Sequence, residues 1–223
     1  MWCIAEITPE YLERMENILT LYEKPYDPGR PMVCLDEKSK QLLRNKRKGR
    51  GAKPGKRRRE DYEYKRNGTR NIFMMVEPKV GWRRAKVTRK RKKPDFAECI
   101  RELADEKYAK AQKIDVVLDN LNTHFPKSLL ESFGKKEAER LLNRIIFHYT
   151  PKHASWLNMA EIEIGVMDRQ CLNRRIPEES RLIRELAAWE KGRNRAKKTI
   201  RWLFTVEKAR KKFARFYKSK SSG

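Results

Sequence analysis

Apolar residues fall at helical spacing over residues 8 to 23, where Tyr11, Leu12, Met15, Ile18, Leu19 and Tyr22 form one face. Thr8 suits the cap of this helix and Pro9 its first turn. Pro25, Pro28, Gly29 and Pro31 then end it and open an extended connection. The run Met32–Asp36 is short, apolar and closed by an acid, the pattern of a buried strand. Residues 61–65, 71–76 and 82–88 read as strands of an antiparallel meander, with Gly81 closing a turn. Helical spacing returns over residues 94–110 through Phe96, Ala97, Ile100, Leu103, Ala104 and Tyr108. Ile114–Leu118 is a β-branched apolar strand that again meets an acid, Asp119. A helical stretch over 126–142 with a break at Gly134, a strand over 144–149, and helices over 155–172, 178–195 and 205–217 complete the chain.

Three antiparallel strands followed by helix, strand, helix, strand and helix predict an α/β fold, a mixed sheet with helices on its faces. In such a sheet the strand after the meander returns beside the first, so the ends of Met32–Asp36 and Ile114–Asp119 become neighbours. The organisation expected is an N-terminal helix and linker over residues 1–30, a sheet domain over 31–175 with a basic loop at 44–59, and basic helices over 176–223 packed on it.

Charge changes the picture. Lys and Arg number 55 against 30 Asp and Glu, a formal net charge of +25. A compact chain so charged repels itself and calls for an anionic partner, of which nucleic acid is the commonest. No apolar run long enough to span a membrane, no lipidation signal and no secretory pattern occur, so membrane partners are not expected. Residues 44–59 hold ten basic residues and no acid, which predicts a flexible loop, either contacting phosphates or merely solvated. Cys3, Cys34, Cys99 and Cys171 are far apart and read as buried thiols in a reducing compartment.

Two neighbouring carboxylates repel unless a cation lies between them, and a divalent metal with hard oxygen ligands is the natural one. Glu161, early in the helix after strand 144–149, completes the set. Glu163 points about 200° away around that helix, so the two cannot face one metal.

The segments VCLDE (33–37), DYEYKRNGTRNIFM (61–74), VLDNLNTH (117–124) and HYTPKHASWLNMAEIEIG (148–165) resemble bacterial insertion-sequence transposases of the mariner superfamily. So do RQCLNRRIP (169–177) and the AAWE and RN stretch (187–194). This resemblance implies a ribonuclease-H-like, five-stranded mixed sheet and an Asp-Asp-Glu triad at Asp36, Asp119 and Glu161. It implies two Mg²⁺ or Mn²⁺ ions, DNA cleavage and strand transfer, and double-stranded DNA partners, both transposon ends and target. It further implies a homodimer on paired ends, no small-molecule cofactor, and a cytoplasmic, DNA-associated bacterial protein. An inactive DNA-binding remnant, a nuclease of the same fold and a basic structural protein are the alternatives.

Asn120, Asn122 and His124 follow the second Asp and either orient water and DNA or cap the helix at Pro126; Asn158 joins them as a positioning candidate. Trp156 and His153 are read as core packing in preference to base stacking. The residues expected on the DNA backbone are Arg47, Lys48, Arg57, Arg58, Arg59, Arg89, Lys90 and Arg91. Lys38 departs from the family's Thr or Ser and brings a cation near the triad. Relatives carry N-terminal helix-turn-helix modules, whereas here one helix leads directly into the catalytic region. A fragment, split-frame product or decayed copy is therefore expected, binding DNA with steep salt dependence and little sequence preference.

Overall fold

The computed structural model describes residues 6–218 apart from 48, 58, 60 and 61. Helix α1 (Pro9–Glu23) starts as expected, with the Thr8 hydroxyl accepting from the Tyr11 amide at 3.1 Å. Five strands follow: β1 (Met32–Asn45), β2 (Tyr64–Glu77), β3 (Trp82–Thr88), β4 (Ile114–Leu118) and β5 (Ile145–Tyr149). They form one mixed sheet in the order β3-β2-β1-β4-β5. The first three are antiparallel; β4 runs parallel to both β1 and β5.

The sheet separates two cores. Val33, Leu35, Phe73, Met75, Val116 and Leu118 face α2 (Lys93–Glu102), α3 (Pro126–Phe133) and α4 (Lys135–Leu142). Cys34, Ile72, Met74, Val76 and Val117 face α1, α5 (Met159–Met167), α6 (Glu179–Arg195) and α7 (Val206–Lys212), before the last helix α8 (Ala214–Lys218). Alternation along each strand produces this division, since successive side chains point to opposite faces. The polar exception in β4 is Asp115, which accepts from Arg30 at 2.7 and 2.9 Å and contacts the His148 ring at 2.8 Å. Burial pushes its carboxyl up, but those hydrogen bonds outweigh it and hold it at about 2.

Several elements differ from expectation. β1 does not stop at Asp36 but continues to Asn45, paired with β2 as far as Tyr64. The segments 61–65 and 71–76 are thus not two strands: β2 is a single strand from Tyr64 to Glu77. Within the basic loop, isolated antiparallel bridges pair Arg50 with Arg59 and Lys53 with Lys56 about a turn at Gly55, whose φ is 71°. The loop is therefore a hairpin arm. Its backbone pairing requires no apolar face, so hydrophobic pattern could not reveal it. The helix predicted over 94–110 ends as a π turn at Leu103–Lys107, where the Arg144 guanidinium donates to the carbonyls of Ala104, Tyr108 and Ala111. The helix predicted from Ser155 is interrupted: a 3-10 turn at Ser155–Leu157 precedes α5, and a π turn at Asp168–Leu172 follows it.

Helix α6 closes the outer edge of β3. Asn194 accepts from the Arg83 amide and donates to the Arg83 carbonyl, both at 2.8 Å, and Glu190 accepts from the Ala85 amide at 2.8 Å. Gly81 lies where the β2–β3 turn meets the end of α6. Its φ is +71°, and a Cβ there would come within 2.5 Å of the Lys197 carbonyl carbon. Gly81→Ala is expected to cost about 2 kcal/mol or more, read as a lower melting temperature, with the sheet otherwise unchanged.

Candidate active site

The parallel register sets Met32, Val33 and Cys34 beside Asp115, Val116 and Val117. Asp36 and Asp119 each lie two residues beyond the last of these pairs. The two acids therefore occupy corresponding positions on strands about 4.8 Å apart, where β4 ends and β1 continues. Asp36 is consequently mid-strand rather than at a strand end. Its Oδ1 accepts from the Glu37 amide at 2.8 Å. Burial pushes its carboxyl up to about 7; the Glu37 amide opposes this, and the charges of Asp119, Glu37 and Glu161 add to it. The charges of the other two acids singled out in the sequence thus reach Asp36.

Glu161 is positioned by Asn158. The Asn158 side chain accepts from the Ala160 amide at 3.1 Å, capping α5, and donates at 2.8 Å to the carbonyl of Leu35, the residue before Asp36. One buried amide therefore joins the start of α5 to β1. Glu161 falls three residues past the cap, exposed in the first turn, where the helix dipole favours a carboxylate. Glu163 faces away, fully buried, and accepts from Arg193 at 2.9 and 2.8 Å with the Arg83 guanidinium 2.9 Å distant.

His124 does not cap α3, whose N-cap is Phe125. It is fully buried, with Nδ1 2.7 Å from Asp119 Oδ1 and Nε2 3.1 Å from Glu37 Oε2. Burial alone would lower its pKa, but the hydrogen bonds and charges of Asp119 and Glu37 raise it to about 9. At neutral pH the ring is an imidazolium holding both carboxylates. Asn120 donates to the Thr150 carbonyl and accepts from Arg14 at 2.7 Å, tying the loop after β4 to β5 and α1. Asn122 is exposed. A cleft of about 690 Å³ opens beside Asn120, lined also by Tyr11, Arg14, Phe125 and His153. His153 holds a left-handed φ of 59°, a sparsely populated conformation for a residue with a side chain.

Some candidates are placed otherwise than expected. Trp156 is 42% exposed, stacked on Trp202 and edge-on to Phe204, so it is not core packing. Lys38 pairs with Asp168 at 2.5 Å. Cys34, Cys99 and Cys171 are buried free thiols; Cys3 lies outside the described residues. Of the basic candidates, Arg47, Arg57 and Arg59 are exposed on the arm, while Lys48 and Arg58 lie outside the described residues. Lys90 is exposed, Arg89 stands 3.6 Å from Glu179, and Arg91 stands 3.6 Å from Glu37. Glu37 was missed by sequence reasoning. Its signal was an acid at a position sharing the inward face of Val33 and Leu35, where its side chain is 2% exposed.

Among the described residues no group of three or more His, Cys, Asp or Glu side chains is already drawn together at metal-binding spacing. The donor set still fits a hard divalent cation. Mg²⁺ retains several waters and binds through one or two carboxylates, so it needs no closed cage. The Asp36 carboxyl is raised chiefly by burial and further by the charges of Asp119, Glu37 and Glu161, and a bound cation would favour its ionised form against both.

A family model described as DDE superfamily endonuclease matches residues 31–183, more than half of the chain. Among solved structures, a pre-cleavage Mos1 transpososome is similar at 15% identity and a TM-score of 0.58, covering 98% of this chain and 65% of that one. The Mos1 mariner paired-end complex with Mn matches at 15% identity and 0.55, covering 100% and 66%. The Mos1 paired-end complex with the left transposon end matches at 14% and 0.56, covering 86% and 57%. The present chain therefore spans roughly three-fifths of the length of the Mos1 chains, and the likeness is one of fold, the ribonuclease-H-like mixed sheet flanked by helices. A comparison with curated proteins finds no match. The family match begins just before β1 and runs past α5, so it takes in both aspartates and Glu161, and the chain belongs to the DDE superfamily endonucleases.

Proposed function

We propose that the chain is a transposase catalytic domain that cuts DNA strands and joins them to a target by divalent-metal-dependent phosphoryl transfer. The observation that carries this is the register that sets Asp36 beside Asp119, with the Asp36 carboxyl raised to about 7 by burial and by the charges of its neighbours. Asp36, Asp119 and Glu161 would hold two Mg²⁺ or Mn²⁺ ions, which activate the attacking oxygen and stabilise the leaving one. Around them, His124 fixes Asp119 and Glu37, and Asn158 holds α5 against β1 so that Glu161 faces the aspartates. Asn120 steadies the loop that carries Asp119, beside the cleft of about 690 Å³. Arg91, 3.6 Å from Glu37, would neutralise phosphates entering this group, with Arg89 and Lys90 further along the same basic run.

The Mos1 complexes carry transposon ends, with Mn or Mg in two of them. By extension this chain acts on the ends of an insertion sequence of bacterial type, as a dimer on paired ends. The organisation proposed is a catalytic domain over 31–175 flanked by an N-terminal helix and C-terminal basic helices. Among the described residues no helix is long and apolar enough to cross a membrane.

Supercoiled plasmid with Mn²⁺ tests the reading. Nicking is expected, lost in EDTA and reduced on the order of 10³ in Asp119→Asn. Joined donor–target products distinguish a transposase from a hydrolytic nuclease of the same fold. Nicking that persists in EDTA, or in Asp119→Asn, would falsify the assignment.

A further inference from the structure

β1 extends nine residues past Asp36, a distance of about 30 Å. The chain leaving α5 follows it closely. Lys38 pairs with Asp168, Lys40 donates to the carbonyls of Leu172 and Arg174 at 2.6 and 3.2 Å, and the Leu43 amide donates to Ile176 at 2.9 Å. Where the two diverge, Arg44 meets Glu178 at 2.6 Å and a cleft of about 420 Å³ opens. Arg44, Lys46, Arg47, Arg174, Arg175 and Arg181 line it, against one lining acid, Glu178. Glu63 lies beside Lys46 and Arg47, and Glu185 beside Arg174 and Arg181. Among the described residues, six bases stand against these three acids.

The chemistry suits phosphate. Guanidinium groups present a planar fork of donors matched to phosphate oxygens. Arg175 is already held in place by Asn45 Oδ1 and the Tyr62 carbonyl, both at 3.0 Å, with its guanidinium 5.4 Å from the centre of the Tyr64 ring. Arg44 and Arg181 are 56% and 45% exposed and can exchange a carboxylate for a phosphate oxygen at small cost. A duplex presents the same face to a flat surface once per helical turn, about 34–36 Å. The spacing along β1 is close to that repeat.

We propose that this cleft binds the sugar-phosphate backbone of duplex DNA about one helical turn from the phosphate cut at Asp36 and Asp119. The proposal rests on the reading of those acids as the cutting site. It assigns the cleft to positioning, since phosphate contacts set register without reading sequence.

The test measures Kd against salt by fluorescence anisotropy for the whole chain and a labelled duplex of about 40 bp, without divalent metal. Arg44→Gln/Arg181→Gln removes two contacts and is expected to lower the slope of log K against log salt by about 1.8. Arg44→Lys/Arg181→Lys restores it. Lys127→Gln/Lys135→Gln, more exposed and on the opposite helical layer, leaves it unchanged. In Mn²⁺, nicks on an end-labelled duplex are expected to stop about 8–10 bp short of one end, and to approach that end in the Gln double variant. Wild type that binds steeply with salt but is unaffected by the Gln substitutions overturns the cleft alone. Nicks that reach both ends in wild type overturn the spacing. Wild type that neither binds DNA nor nicks it overturns the cleft together with the proposed function.

Discussion

Asp36→Asn is expected to abolish nicking while making the metal-free protein more stable above pH 7. The two effects share one origin. The Asp36 carboxyl is raised in the folded chain from its ordinary value of 3.8 to about 7. Between those values the folded state keeps a proton that the unfolded state has released, so stability falls as pH rises through that window. Below pH 3.8 nothing is lost. Above pH 7 the loss is complete, and a shift of this size corresponds to roughly 2–4 kcal/mol. Asn carries no charge and escapes the penalty, so its advantage over wild type grows from pH 4 to pH 7 and then levels. Divalent metal reverses the order, because only the ionised carboxylate gains from it. Thermal melts of both proteins at pH 5 and pH 8, with and without Mn²⁺, check this; a variant less stable than wild type at pH 8 without metal would contradict it.

Glu163→Ala is expected to cost roughly 3–5 kcal/mol, because it leaves the fully buried Arg83 and the largely buried Arg193 without their shared counter-charge. For a chain of this length that is on the order of 10 °C in melting temperature. Glu161→Gln, two residues earlier, is expected to change stability by no more than about 0.5 kcal/mol, since its side chain is exposed, while cutting nicking as severely as Asp119→Asn. The pair separates one glutamate that holds the helix from one that faces the reaction. Circular dichroism melts set beside nicking rates decide it. A stable Glu163→Ala, or a Glu161→Gln that unfolds early, would reverse the two roles.

How much of this was legible depended on where apolar pattern and function coincide. β4 and β5 are short and parallel, β4 fully buried and β5 half-buried, and their apolar runs marked them within a residue. The termination of the first apolar run at an acid located Asp36, and the order of elements set it beside Asp119. The outer half of the β1–β2 hairpin left little trace because Leu42 is its one fully buried apolar side chain among the described residues, and the rest is held by backbone pairing and by polar contacts to distant residues such as Arg174 and Arg175. The break before α5 was hidden as well. Ser155, Trp156 and Leu157 continue the helical spacing, and only the side-chain cap at Asn158 ends it. Helical geometry separated Glu161 from Glu163, but nothing in the local sequence named Arg83 and Arg193 as the partners of the buried one, which lie 80 and 30 residues away. In sequence His124 is equally a cap or a site residue; its burial between Asp119 and Glu37 depends on β1, β4 and α2 coming together.

The contacts that Asn194 and Glu190 make with β3 bear on how copies of this chain meet. A bare outermost strand invites another strand to dock through its free amides and carbonyls, and a highly expressed chain with such a rim is prone to stack into fibres. Here two helix side chains occupy the bonding positions at Arg83 and Ala85 that an incoming strand would need. Association that extends the sheet from this side is thereby obstructed, which leaves any contact between copies on this side to side-chain surfaces.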